Sequence, residues 1–326
     1  MREILCIACV CIMLMGCRNE KMGGAETPPE VLHWVKYEGN PVLGNDSLGT
    51  CFDANVINEG KAKYNMYFSW RPKGAIALSV SNDGISWSSP TIVLGADATS
   101  GWEDVVNRAC TIYWNGRYHM WYTGQARGYS KIGYAVSDDG EHFQKVQEKP
   151  VMIPEYNYEG YSVMNPYVIH DDKRGVFRMW YASGETYEPN VICYAESKDG
   201  IHWERSPLNP IFVHGGPDSW DKDRVGGCEV KILPDGRHVM FYIGYADMQH
   251  GMIGMATSPN GITQWNRLYN SPIIAPTDKD WDEVSCYKPT VCVDSVAGRW
   301  LLWYNGRNNK AEYIGVAIHD GLNIIK

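Results

Sequence analysis

Glu229 sits where a carboxylate is costly. It follows Gly226-Gly227 inside an apolar run, Cys228-Glu229-Val230, and a charge in such a place is either paired or functional. Other acidic residues gather around similar runs. Asp53 lies in Phe52-Asp53-Ala54, Glu103-Asp104 precedes Asn107-Arg108-Ala109, and Glu159 precedes Asn165-Pro166. Asp221 and Asp223 precede the Glu229 run, and Asp282-Glu283 precedes Tyr287-Lys288-Pro289. Carboxylates brought together from separate strands perform general acid–base chemistry: one gives a proton, and another takes one from water or attacks directly. The donor needs its pKa raised by burial or by a neighbouring carboxylate. Glu229 is the candidate acid on these grounds. Burial in an ion pair with Arg108 or Lys288 is the structural alternative.

These residues are positioned by a repeat. An aromatic strand recurs five times: Met66-Tyr67-Phe68, Met120-Trp121-Tyr122, Met179-Trp180-Tyr181, Met240-Phe241-Tyr242 and Leu302-Trp303-Tyr304. Four copies run into Gly124, Gly184, Gly244 and Gly306. A small-residue alternating strand follows each, then Asp83-Gly84, Asp139-Gly140, Asp199-Gly200, Asn260-Gly261 or Asp320-Gly321. Such dipeptides are strong turn signals because the turn needs positive φ. An outer strand opening at Pro90, Pro150, Pro210 or Pro272 comes next, since proline is tolerated at a strand start or edge. With an inner strand before each aromatic one, every repeat has four strands, which is the signature of a propeller. The last repeat lacks its outer strand, while Asn40-Pro41-Val42-Leu43 matches Asn209-Pro210-Ile211-Phe212. The expected fold is therefore an all-β, five-bladed β-propeller over residues 31–326, closed by an N-terminal strand.

The first residues read as an export leader. Arg2 precedes an apolar stretch from Ile4 to Met15, too short to span a bilayer, which ends in Leu14-Met15-Gly16-Cys17. Residues 1–17 are expected to be a bacterial lipoprotein signal with Cys17 as lipidation site, and residues 18–30 a polar tether. The expected product is an outer-membrane lipoprotein, monomeric and held to the membrane by its lipid alone. Of 10 cysteines, Cys51, Cys110, Cys193, Cys228, Cys286 and Cys292 fall in the body without CxxC spacing, so buried thiols are expected rather than zinc. Net charge is −8 with no run of basic residues, which argues against nucleic acid. The 13 Trp and 21 Tyr against 6 Phe suit half-buried strands and also sugar recognition. His119, His202 and His238 are expected to be exposed on hairpins, and no His/carboxylate spacing announces a metal.

The frame and its hairpins, Ser81-Asn82-Asp83-Gly84-Ile85-Ser86-Trp87 and Ser197-Lys198-Asp199-Gly200-Ile201-His202-Trp203, resemble the propellers of glycoside hydrolase families 43, 32 and 130. The resemblance implies a glycosidase acting on a plant or microbial glycan, with three carboxylates at the starts of inner strands. It makes Asp53 the base, with a turn-capping Asp as the structural alternative. Asp104 takes the tuning role, with Asp223 as its rival. An inverting reaction is expected, with Asp53 and Glu229 across one funnel. Two departures stand out: Asn165-Pro166 replaces the usual third-repeat acid, leaving Glu159 several residues upstream, and Arg108-Ala109-Cys110 stands where an Asp is common. Arg108, Asn165 and Lys288 fall at matching inner positions, and with Glu159 and Asp223 they are the substrate-binding candidates. The cations would bind a uronic acid or phosphate, or else neutralise the funnel's carboxylates. The acids of Trp102-Glu103, Trp220-Asp221 and Trp281-Asp282 recur at equivalent places, so they are assigned to structure. No cofactor is expected; calcium in the pore rests on the resemblance alone. Alternatives are a glycoside phosphorylase and a non-catalytic glycan-binding lipoprotein.

Overall fold

A computed structural model describes residues 33–60 and 63–325. The chain divides into Met1–Glu30 and Val31–Lys326. The leader, Cys17 and the tether lie outside the described residues.

The fold is all-β, with three single-turn 3₁₀ helices among the described residues. Hydrophobic alternation and the Asp-Gly or Asn-Gly turns organise the strands into antiparallel groups in chain order. The first is Cys51–Asn58, Tyr64–Trp70, Ala75–Ser81 and Thr91–Leu94. The second is Val105–Trp114, Arg117–Ala126, Tyr129–Ser137 and Gln144–Lys145. The third is Ser162–Asp171, Val176–Glu185, Glu188–Ser197 and Glu204–Arg205. The fourth is Arg224–Ile232, His238–Tyr245, Gly251–Ser258 and Asn266–Arg267. The fifth has Ser285–Asp294, Arg299–Arg307 and Glu312–Asp320, and its outer partner is Val35–Lys36 from the other end of the chain.

One buried device recurs. An acid before the inner strand accepts from the tyrosine of the aromatic strand and pairs with a cation on the outermost strand. Glu103 holds Tyr122 and Lys145, Glu159 holds Tyr181 and Arg205, Asp221 holds Tyr242 and Arg267, and Asp282 holds Tyr304 and Lys36. The first repeat carries Phe68 where the others carry tyrosine, and a ring without a hydroxyl has no donor for such an acid. The tryptophans beside three of these acids explain three glycines: any Cβ at Gly124, Gly244 or Gly306 would collide with Trp102, Trp220 or Trp281.

Neighbouring groups are latched by the aromatic strands. Tyr67 donates its hydroxyl to the carbonyl of Gly140, and the indoles of Trp121, Trp180 and Trp303 donate to Gly200, Gly261 and Gly84 at 2.7–2.9 Å. The six body cysteines are buried and free.

Two expectations about local structure are corrected. In repeats two to four the outer strand pairs before its proline, at Gln144–Lys145, Glu204–Arg205 and Asn266–Arg267, and touches again after it through single bridges at Met152, Phe212 and Ile274. Proline has no N–H to give the ladder, so it splits the strand instead of opening it. His119 and His238 are buried (His202 is exposed). His119 meets the Tyr134 hydroxyl at 2.5 Å, and His238 meets Arg178 at 3.0 Å. Each lies in an aromatic strand whose neighbours roof it over.

Candidate active site

Each inner strand carries a bulge at the same place, where the register slips between Phe52/Asn55, Asn107/Cys110, Met164/Tyr167, Val225/Cys228 and Tyr287/Thr290. Four of the bulged residues take positive φ although they are not glycine: Asp53 (55°), Arg108 (53°), Asn165 (50°) and Lys288 (51°). Gly227 fills the fifth place. Left-handed backbone is disfavoured for side chains bearing Cβ and tends to persist where function holds it. Neighbouring side chains catch three of the bulge N–H groups: Asn305 takes that of Asp53, Ser69 that of Arg108 and Thr123 that of Asn165. The bulge re-aims these side chains into a common space.

That space is a cavity of about 250 Å³ lined by Asp53, Arg108 and Asn165 and also by Glu188, Glu312 and Arg307. Burial pushes the Asp53 carboxyl above its ordinary range, against the pull of Arg108 and Lys288. Its Oδ1 accepts from Asn305 at 3.3 Å. Its Oδ2 lies 3.6 Å from the Arg108 guanidinium and has no hydrogen-bond partner among the described residues. Burial likewise raises Glu188, opposed by Arg108, Arg224 and Arg307 and reinforced by Asp53. Glu312 is paired with Arg71 at 2.5 Å, and its charge helps to raise Asp53. The cavity therefore offers two carboxyls with raised pKa, one close to a cation, and a third already neutralised.

Asp53, Arg108 and Asn165 meet here, and Lys288 lies close enough to lower Asp53. The other expected residues lie elsewhere. Glu229 stands two positions beyond its bulge, and that step along the strand, about 6–7 Å, carries it to a separate, wider cavity together with Asn55, Cys110 and Tyr167. There it accepts from the Val291 N–H at 3.2 Å and pairs with Lys231 at 2.6 Å. Asn55, Cys110 and Thr290, at the same step, accept from Thr111, Val168 and Val56 in the same manner, so Glu229 belongs to a series of axial clamps. Asp104 is exposed, and Asp223 is exposed and paired with Arg224. Glu159 is the third repeat's buried strand-tying acid. None of these four lines the cavity holding Asp53.

Sequence reasoning passed over Glu188 and Glu312. Both open the third strand of their repeats, and the signal was the alignment of those openings with Ala75, Tyr129 and Gly251, which carry no charge. Among the described residues no group of three or more His, Cys, Asp and Glu side chains could hold a metal. Asp53 and Asn165 beside Arg108 and Lys288 are a donor set that does not fit calcium, which takes six to eight oxygens.

The arrangement is that of an all-β fold of repeated antiparallel groups with carboxyls gathered in one cavity. A thermostable family-43 glycoside hydrolase of known structure superposes with a TM-score of 0.70 at 16% identity, over 88% of this chain and 94% of its own. Residues 47–209, half of the chain, match the glycosyl hydrolases family 32 N-terminal domain, and the chain belongs to that family. A 1,2-beta-oligomannan phosphorylase of Thermoanaerobacter sp. is 27% identical over 70% of this chain and 74% of its own length. An uncharacterised protein of Mycobacterium tuberculosis is 29% identical over 57% of this chain. The match spans 60% of that protein's length.

Proposed function

We propose that this protein is a glycoside hydrolase acting on an oligosaccharide by inversion, with Asp53 as general base and Glu188 as general acid. The observation that carries the reading is that two carboxyls, each raised by burial, line one sugar-sized cavity. Breaking a glycosidic bond needs one protonated carboxyl at the leaving oxygen and one basic carboxylate at the water. A Glu whose pKa is raised keeps its proton nearer neutral pH. Asp53, with Arg108 beside it, is the better placed of the two to stand ionised. Glu312, raising Asp53, replaces Asp104 in the tuning role, and Glu188 replaces Glu229 as acid.

The supporting frame is read as a five-bladed propeller whose ring the N-terminal strand closes. Lys36 supplies the fifth group with the cation that Lys145, Arg205 and Arg267 supply to others, and the Trp303 indole donates to Gly84 between last and first groups. The leader is read as a lipoprotein signal on its sequence alone; loss of palmitate incorporation in Cys17→Ala would support it.

The test is hydrolysis of an aryl-glycoside and oligosaccharide panel, followed by NMR of the first-formed anomer. Cleavage with inverted configuration is expected, strongly reduced on the oligosaccharides in Asp53→Asn and in Glu188→Gln. Retained configuration would overturn the inverting step, and sugar binding without cleavage would leave a glycan-binding protein. The cations Arg71, Arg108 and Arg307 and the phosphorylase relative favour a second reading, phosphorolysis, in which cleavage requires added inorganic phosphate.

A further inference from the structure

Around the Asp53 cavity, with nearby Lys288 counted, cations outnumber carboxylates once the Arg71–Glu312 pair is set aside. Arg71 and Glu312 neutralise each other. In the lining Asp53 and Glu188 remain against Arg108 and Arg307, and Lys288, outside the lining, is near enough to lower Asp53. The donors of these three cations are poorly matched by the protein. Arg108 reaches Asn107 Oδ1 only at 3.4 Å. Arg307 gives one nitrogen to the Gln249 carbonyl at 2.6 Å and its side-chain oxygen at 3.1 Å, while its Nε is buried without a partner. Lys288 is 4% exposed and its ammonium makes no hydrogen bond among the described residues. Arg224, which also faces Glu188, is already paired with Asp223 and Glu185. Half-buried and buried cations with open donors are costly to hold unless a ligand brings the missing negative charge. A proton on Glu188, which the acid role requires, widens the excess.

We propose that the sugar taken by this cavity is an acidic one, carrying a carboxylate held by Arg108 and Arg307, with the charge of nearby Lys288 adding to the attraction. The inference rests on the glycosidase reading of the same cavity. Size favours a carboxylate borne by the ring over a separate oxyanion: about 250 Å³ lies below the usual range of ligand pockets, and a uronic acid brings its charge in about the space of a hexose. The guanidinium fork matches a carboxylate plane.

Calorimetry of the full chain with glucuronate, galacturonate and mannuronate, each beside its hexose and beside inorganic phosphate, tests this. At least one uronate is expected to bind about tenfold tighter than its hexose, the scale of a charge-assisted hydrogen bond. Lys288→Met and Arg307→Gln should erase that preference while hexose binding persists; Arg307→Lys, which keeps the charge, should retain part of it and guards against loss of folding. Equal affinity for every uronate and hexose overturns the proposal. So does phosphate that binds alone, excludes uronate and drives cleavage, because the oxyanion then comes from solution. Cleavage is scored separately on neutral and acidic oligosaccharides. Cleavage of neutral ones alone sinks the acidic sugar and keeps the hydrolase; uronate binding without any cleavage keeps the acidic site and sinks the hydrolase.

Discussion

Lys36 Nζ lies 2.5 Å from Asp282 Oδ2, joining residues 246 positions apart. The same ammonium also reaches the Ala275 carbonyl and the Thr277 hydroxyl, and Asp282 is fully buried. Lys36→Met leaves that carboxylate without its cation. The expected loss is about 3 kcal/mol, the scale for breaking a buried pair, read as a lower urea midpoint. Lys63→Met, removing an exposed pair with Glu59, should change stability by less than about 1 kcal/mol. Deletion of residues 31–45 should lower the midpoint further than Lys36→Met; an unchanged midpoint would refute the closing role of that segment.

The two proposed catalytic carboxyls should separate by leaving group. Glu188→Gln is expected to lower kcat on natural linkages by about 10³, within the range for general acid catalysis, and far less on dinitrophenyl glycosides, whose leaving group needs no proton. Asp53→Asn should lower both alike. A uniform loss in Glu188→Gln would move the acid elsewhere in the cavity.

Glu188 also predicts a pH dependence of stability. A carboxyl whose pKa rises on folding holds its proton more tightly in the folded chain, so stability is lost as pH rises from the ordinary carboxylate range through the folded value. Burial is the main cause of the rise here. Glu188→Gln, which cannot ionise, should therefore melt higher than wild type at pH 7 and about equally at pH 4. A variant melting lower at pH 7 would place Glu188 in a stabilising ion pair instead.

Glu229 should behave as a structural residue. Glu229→Gln leaves the half-buried Lys231 without its charged partner, at an expected cost of about 1–2 kcal/mol, between the scales for an exposed and a buried pair, measured in urea. The folded variant should keep kcat and its pH profile. Loss of kcat with unchanged stability would return Glu229 to the catalytic assignment.

Much of the architecture was legible because its causes are local. The aromatic strands, the Asp-Gly turns and the spare Asn40-Pro41 segment are patterns of neighbours along the chain. The recurrence of Glu103, Asp221 and Asp282 beside tryptophan already marked them as parts of a frame, and the Phe68 substitution coincides with the repeat that lacks such an acid. Asp53, Arg108, Asn165 and Lys288 could be aligned because each repeat places one residue at the same inner position.

The pairing of those positions with an acid was not legible. An apolar setting made Glu229 conspicuous, yet a residue's place relative to the bulge decides which of the two cavities its side chain lines. Two residues beyond the bulge, Glu229 lines a different cavity from Asp53. Glu188 looked like one polar residue in a hairpin, between Tyr187 and Pro189. Only the packing of separate repeats against one another sets it in the cavity with Asp53 and buries it there. By itself the sequence determined the repeat, its turns and the residues at each bulge, because short-range sterics and alternation dictate them. The tertiary structure alone decided which carboxyls share a cavity, because that depends on backbone register and on burial supplied by residues far away along the chain.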